Sequence, residues 1–437
     1  MTRKLTRIVL ISLGLTLTAL CASVVQWAAA VQWAAAPNVT TPGIVWSWGR
    51  NGTGQLGNCR TGDVQTPRGV RTNCGDPNGY FLTDAVNIAG GGGHTLALQS
   101  DGTVSAWGLA GHGELGDGST HPENGGNFNY PVKVQDPNGG NFSAVRGVAA
   151  GDQHSAAVKI DGTVWAWGGN NLAQLGSGEP ANGGTATVRP TPVLVAAGQQ
   201  LTGATAVAAG RFHNLALKNG QVWAWGSNRY GALGNQNVRP NLVESQPFAV
   251  PVDVLTNVKD ISAGFNFNLA LKTDGTVWAW GRNNAGQLGN GAVGGDNTQD
   301  ATYITPAQVL VLTNVSAIAA GFHHSLAIRN GTVWAWGANN FGQLGLGNND
   351  FTNRSTPVQV PGLSDIIAIA AGDNHSLALR ADGTVFAWGT NAAFQLGAPS
   401  NVAQSATPLQ VSGLAGVTLI ASGFNHSLAI KPDNITG

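Results

Sequence analysis

A short unit closing on Trp-Gly is written seven times along this chain, and that recurrence constrains the fold more than any other feature. The copies read VWSWG, VSAWG, VWAWG four times, and VFAWG; their final glycines are Gly49, Gly108, Gly168, Gly226, Gly281, Gly337 and Gly389. A second unit, G-x-x-H-[STN]-L-A-[LIV] with variations, also occurs seven times. Its fourth residue is His94, His154, His213, Phe267, His324, His375 and His426. A period of 51 to 60 residues marks an array in which each copy is one supersecondary unit. The copies run from about 43 to 431 and leave no room for another domain.

Each repeat carries four candidate strands. In the sixth they are STPVQV (355–360), IIAIAA (366–371), HSLALRA (375–381) and TVFAWG (384–389). Asp382-Gly383 joins the last two, and Asp-Gly or Asn-Gly recurs there at Asp101-Gly102, Asp161-Gly162, Asn219-Gly220, Asp274-Gly275 and Asn330-Gly331. Such pairs predict two-residue hairpins with both residues at positive φ. Along TVWAWG the two Trp side chains fall on one face and Val and Ala on the other, so each small sheet is apolar on both faces and must be covered on both. Sheets stacked face to face around an axis meet that demand. The expectation is an all-β, seven-bladed β-propeller of four-stranded blades. The chain starts inside a repeat (GIVWSWGRNGTGQLG, 43–57) and stops inside one (ASGFNHSLAI, 421–430), so one blade shared between the N- and C-termini closes the ring. The 63 glycines fit so many tight turns.

Ahead of the repeats, MTRKLTR is basic and IVLISLGLTLTAL is an apolar run of 13 residues, with Ala28-Ala29-Ala30 after it. These are the parts of a secretory signal peptide, and the run is short for a membrane helix. The reading is a signal peptide over 1–30, a short linker over 31–42 and the propeller over 43–437. A retained anchor, or lipidation at Cys21, is the alternative. The location expected is secreted, periplasmic or cell-envelope, with no membrane span after cleavage. In such a compartment Cys59 and Cys74 are expected to form a disulfide, two free buried thiols being the alternative.

Little in the sequence points to chemistry. Charged residues are 10% with a net charge of +0, which argues against a nucleic-acid partner. Six motif histidines on six different blades cannot share one Zn²⁺, so no metal is expected; hydrogen bonding to neighbouring backbone is the expected role. His112, His121 and His323 stand alone in sequence. No nucleophile elbow, HExxH, phosphate loop or dinucleotide fingerprint appears, so neither catalytic residues nor a cofactor are assigned. Two acids converging from different blades could still serve glycan chemistry.

The full pattern, P-x-x-V … I-A-A-G-x-x-H-S-L-A-L-x-x-D-G-x-V-x-x-W-G-x-N-x-x-G-Q-L-G, resembles the regulator of chromosome condensation repeat family over essentially all of the chain after the leader. The resemblance is specific for fold and weak for function. That family includes a nuclear guanine-nucleotide exchange factor, a plant ultraviolet-B photoreceptor, repeat domains of ubiquitin ligases and secreted bacterial β-lactamase inhibitors. A leader peptide fits the exchange factor poorly. The photoreceptor's tryptophans before the motif histidine are absent, since the residues there are GG, DQ, RF, FN, FH, DN and FN. The secreted inhibitors share the setting. By that resemblance the two residues after each Gly of G-x-x-H lie in binding loops: Asp152, Arg211, Phe212, Phe265, Phe322, His323, Asp373 and Phe424. Phe212, Phe265 and Phe322 would make an aromatic arc on three consecutive blades, either exposed as an interface or buried as caps of the core. The expectation is an exported, monomeric, non-catalytic scaffold for a protein partner. The alternatives are a glycan-binding or polysaccharide-active propeller and, by family analogy, exchange-factor-like activity.

Overall fold

The computed structural model describes residues 41–433 except 76–79, 122–125, 180–187, 197–200, 239–242, 295–303 and 348–349. The signal peptide and almost all of the linker lie outside the described residues. Seven antiparallel four-stranded blades surround an axis. Their innermost strands are Ala85–Gly90, Val145–Ala150, Ala204–Ala209, Val258–Ala263, Val315–Ala320, Ile366–Ala371 and Leu419–Ser422. Each packs beside the next, and Leu419–Ser422 touches both Ile366–Ala371 and Ala85–Gly90, which completes the ring. The closing blade is the shared one: Leu419–Ser422 and His426–Pro432 from the C-terminal end, then Gly43–Gly49 and Val64–Gly69. Gly43–Gly49 pairs without a break from Gly43 opposite Pro432 to Gly49 opposite His426.

The alternation in VWAWG sets how blades stack. Trp280 packs on Leu215, Leu217, Val222 and Ala224 of the preceding blade, while Val277 and Ala279 of the same strand face Ile318, Ala327 and Trp336 of the following one. The Trp before the closing glycine of each unit (Trp48, Trp107, Trp167, Trp225, Trp280, Trp336, Trp388) is fully buried. Truncating one of these costs roughly 3–5 kcal/mol.

A buried indole N–H must also be satisfied, and the N-x-x-G-Q-L-G segment does this. In the loop of residues 339–345, Asn339 Oδ1 accepts from the Leu344 amide at 3.0 Å and Gln343 Oε1 from the Phe341 amide at 2.9 Å. The loop so pinned points the Gln343 carbonyl at the next blade. There it accepts both Trp388 Nε1 and Ser376 Oγ, each at 2.8 Å. The same double acceptance recurs at Gln55, Glu114, Gln174, Ala232, Gln287 and Gln395. The contact to the next blade uses only the backbone carbonyl, so Ala232 can make it where the others carry Gln or Glu, although it lacks the side-chain bond that pins the other loops.

The hairpins correct the sequence reading. Asn219-Gly220 and Asn330-Gly331 have both residues at positive φ, as a two-residue loop requires. At the Asp-Gly sites only the glycine does (Gly102, Gly162, Gly275, Gly383). These loops are one residue longer: Gly102 N–H bonds the Gln99 carbonyl and Gln99 N–H the Thr103 carbonyl. Asp101 Oδ1 accepts from both the amide and the hydroxyl of Thr103, at 2.8 and 2.7 Å. The carboxylate caps the turn, so it need not enter the left-handed region. Cys59 and Cys74 are joined by a disulfide.

Candidate functional site

The motif histidines belong to the scaffold. His94, His154, His213, His324, His375 and His426 are fully buried, and each Nε2 lies 2.7–3.1 Å from a side chain of the next blade: Ser155, Asn214, Asn268, Ser376, Ser427 and Thr95. The partner is thus a neighbouring side chain and not, as the sequence suggested, backbone. Those hydroxyls and amides already donate to the loop carbonyls, so they accept from the ring, which fixes the Nε2–H tautomer. Burial holds the six pKa values at about 3 to 4, so the rings are neutral. The motif glycine is needed because the ring lies on it; at Gly91 a Cβ would overlap both His94 and the Gly151 carbonyl. Phe267 fills the same place over Gly264 without the hydrogen bond. Among the described residues no three His, Cys, Asp or Glu gather as a metal-ligand set.

Between glycine and histidine the two loop residues diverge. The first position holds Gly92, Asp152, Arg211, Phe265, Phe322, Asp373 and Phe424; of these Arg211, Phe265, Phe322, Asp373 and Phe424 line a small open funnel together with alanine and glycine at the ends of the innermost strands. Backbone bonds stitch these loops together: Phe322 N–H to Gly372 O at 3.1 Å, Asp373 N–H to Phe424 O at 2.8 Å, and Phe424 N–H to Gly91 O at 3.2 Å. The second residue, as at Phe212 and His323, is not part of the funnel lining.

The sequence-derived residues come together here, in a different arrangement from a simple arc. Phe265 and Phe322 pack against each other, tilted by 40° with ring centroids 3.7 Å apart, and His323 packs on both. Phe212 is reached through Arg211, whose guanidinium lies 4.8 Å from the Phe212 centroid and 4.3 Å from that of Phe265. Arg211 Nε donates to Asp152 Oδ2 at 3.1 Å. The phenyl rings are half-buried, neither fully exposed nor sealed into the core. Asp373 and Phe424 line the opposite wall. Burial, with Asp152 as a nearby like charge, pushes the Asp373 carboxyl up to about 7.

Sequence reasoning passed over Arg282 and Asn425. Arg282 donates to His323 Nε2 at 3.1 Å and stacks on Tyr230, and Asn425 donates to Asp373 at 3.4 Å. Arg282 directly follows a Trp-Gly, a variable position of the motif that was the available signal. His112 and His121 are not isolated: they bond Glu114 at 3.0 Å and Asp117 at 2.5 Å.

Comparison with known proteins agrees with this geometry. The regulator of chromosome condensation (RCC1) repeat matches residues 42–98 and 101–158, and the RCC1-like domain matches residues 144–436. The ultraviolet-B receptor UVR8 of Arabidopsis thaliana is 29% identical over 395 residues, covering 88% of this chain and 82% of its own. The mitochondrial RCC1 domain-containing protein RUG3 of the same plant is 31% identical over 356 residues, 78% of this chain and 73% of its own. The E3 ubiquitin-protein ligase HERC2 of Homo sapiens is 30% identical over 420 residues, 93% of this chain but 8% of that protein. Among solved structures, yeast RCC1 (Prp20), bound to Kap60, has a TM-score of 0.75 at 24% identity, covering 91% of each chain. Human WBSCR16 has a TM-score of 0.73 at 21% identity, covering 90% of this chain and all of that one. At such identities the likeness carries the fold alone.

Proposed function

The chain belongs to the RCC1 repeat family, and on that premise we propose that it is a non-catalytic propeller scaffold that binds a protein partner through the funnel face. One observation carries the reading: Arg211 is held by Asp152 between two phenyl rings, beside the packed pair Phe265 and Phe322, at a half-exposed rim. Aromatic rings and a guanidinium already fixed in place lose little side-chain freedom on binding, and such residues dominate interface energetics. Yeast RCC1 (Prp20), which shares this fold, has been solved bound to another protein, Kap60.

We further propose that the protein is exported as a monomer. The basic and apolar leader of the sequence and the Cys59–Cys74 disulfide support export, because such bonds persist in oxidising compartments.

A second reading has one observation in its favour. Asp373 lines the funnel and the Asp152 carboxylate acts on it as a like charge, and a pair of nearby carboxyls is what a glycan-active site would require. However, Asp152 is committed to Arg211, and the lining of phenyl, alanine and glycine offers a sugar few hydrogen-bond partners. The protein-partner reading is therefore preferred.

The test is a pull-down from extracellular and envelope extracts with wild-type protein beside a Phe212→Ala/Phe265→Ala/Phe322→Ala variant. A protein retained by the wild type and lost by an equally folded variant is the expected result. Equal retention by both would overturn the placement of the site.

A further inference from the structure

The two walls of the funnel are built alike but filled unequally. On one wall a carboxylate, Asp152, holds a guanidinium that lies over two phenyl rings, Phe212 and Phe265. On the other wall Asp373 sits between Phe322 and Phe424 on adjacent blades. The Asp373 backbone is bonded to Phe424, and Phe322 is bonded to Gly372 beside it. Here no cation of the chain is in contact: among the described residues Asp373 makes no ion pair, Arg211 and Arg50 act on it only from a distance, and its one side-chain hydrogen bond is from the Asn425 amide at 3.4 Å.

A carboxylate in an apolar setting is costly without a counter-charge. Phenyl faces attract cations as well, more strongly once water is excluded. We propose that this half of the funnel is a cation site, in which Asp373, with Phe322 and Phe424 on either side, receives an alkylammonium or guanidinium group from outside the chain. The ligand would repeat on this wall what Arg211 does on the other. That group could be the lysine or arginine side chain of a protein partner or a free small amine; the chemistry is the same. The other charged or titratable groups around the site are Asp152, Arg211, Arg50 and His323. Asp152 and Arg211 form an ion pair and largely cancel each other, and Arg50 is exposed to solvent, which screens it.

The test uses the isolated protein and small probes, so its outcome does not depend on finding a partner. Butylammonium and butylguanidinium are titrated by calorimetry at pH 6 and pH 8, with 1-butanol as the neutral control. Saturable millimolar binding of the cations alone is expected, tighter at pH 8 as the Asp373 carboxyl ionises. Asp373→Asn should weaken it by about tenfold or more, and Phe424→Leu should weaken it while leaving the carboxylate in place. A blocked Gly-Lys-Gly peptide separates the sources. Binding at least as tight as butylammonium indicates a partner's side chain, whereas exclusion of the peptide indicates a free amine. No saturable binding, equal binding of 1-butanol, or unchanged affinity in both folded variants would overturn the proposal. Failure of the pull-down with these results intact would reject the protein-partner reading alone.

Discussion

Acid should unfold this protein sharply, and six histidines set the range. Each is fully buried and neutral, its pKa lowered from 6.5 to about 3 or 4 by burial. Below pH 6.5 the unfolded chain takes up a proton at each of these sites and the folded chain does not. The stabilisation is therefore complete above the unfolded value and is lost as pH falls from 6.5 toward 4. At pH 5 the loss is about 2 kcal/mol per histidine, or about 12 kcal/mol for six, against a typical total stability of roughly 5–15 kcal/mol. Asp260 and Asp373, raised to about 7 by burial, work in the opposite sense: the folded state gains their protons first, so they add stability as pH falls through 7 toward 3.8. Both retain some solvent contact, and together they offset less than about half of the loss. The assay is urea unfolding at pH 8, 7, 6 and 5, for wild type and for a His324→Phe/His375→Phe variant that copies the blade carrying Phe267. At pH 8 each replacement should cost about 1 kcal/mol for its hydrogen bond. Between pH 8 and 5 the variant should lose about 4 kcal/mol less than wild type. Equal pH dependence in the two proteins would show that these rings do not govern acid stability.

Three further outcomes follow from local geometry. Replacing Cys59 and Cys74 by Ser should lower stability by about 3 kcal/mol, because the bridge closes a loop with a sequence separation of 15; urea unfolding under non-reducing conditions measures it. Gly423→Ala should be among the most damaging small changes, since the new Cβ would overlap His426 and lie 2.7 Å from the Gly91 carbonyl where the closing blade meets its neighbour; a thermal midpoint within a degree or two of wild type would count against it. Val311→Gly should stabilise by about 1 kcal/mol despite the added chain freedom, because Val311 is exposed at φ 56°, where the corresponding turns of two later blades carry Gly362 and Gly413.

The fold was legible because each repeat repeats the same physical demands. The buried Trp, the glycines of the turns and close approaches, and the Asn and Gln that pin the loop answer the same needs in blade after blade, and the recurrence makes the pattern plain. The hairpin class was misjudged because Asp-Gly and Asn-Gly look alike until the residue before them is counted: Lys218 pairs with Gln221 across Asn219-Gly220, whereas Gln99 and Thr103 flank three residues. The histidine partners could not be read because they lie on another blade, 52 to 61 residues along or, for His426, back at Thr95. The funnel was half-legible. Divergence between the motif glycine and histidine marked the loop residues, but their spacing does not say that Arg211 bridges Phe212 and Phe265, or that Asp373 lines the funnel with Phe322 and Phe424 and makes no ion pair. Those are properties of closing the ring.

The most direct test of the proposed function is photo-crosslinking in the producing cells, with p-benzoylphenylalanine placed at Phe265 or, on the hairpin side of the ring, at the exposed Ile160. The account predicts a discrete crosslinked protein from Phe265 that is absent from Ile160 and lost when Arg211 is changed to Ala. The same protein captured equally from both positions, or from Ile160 alone, would contradict it.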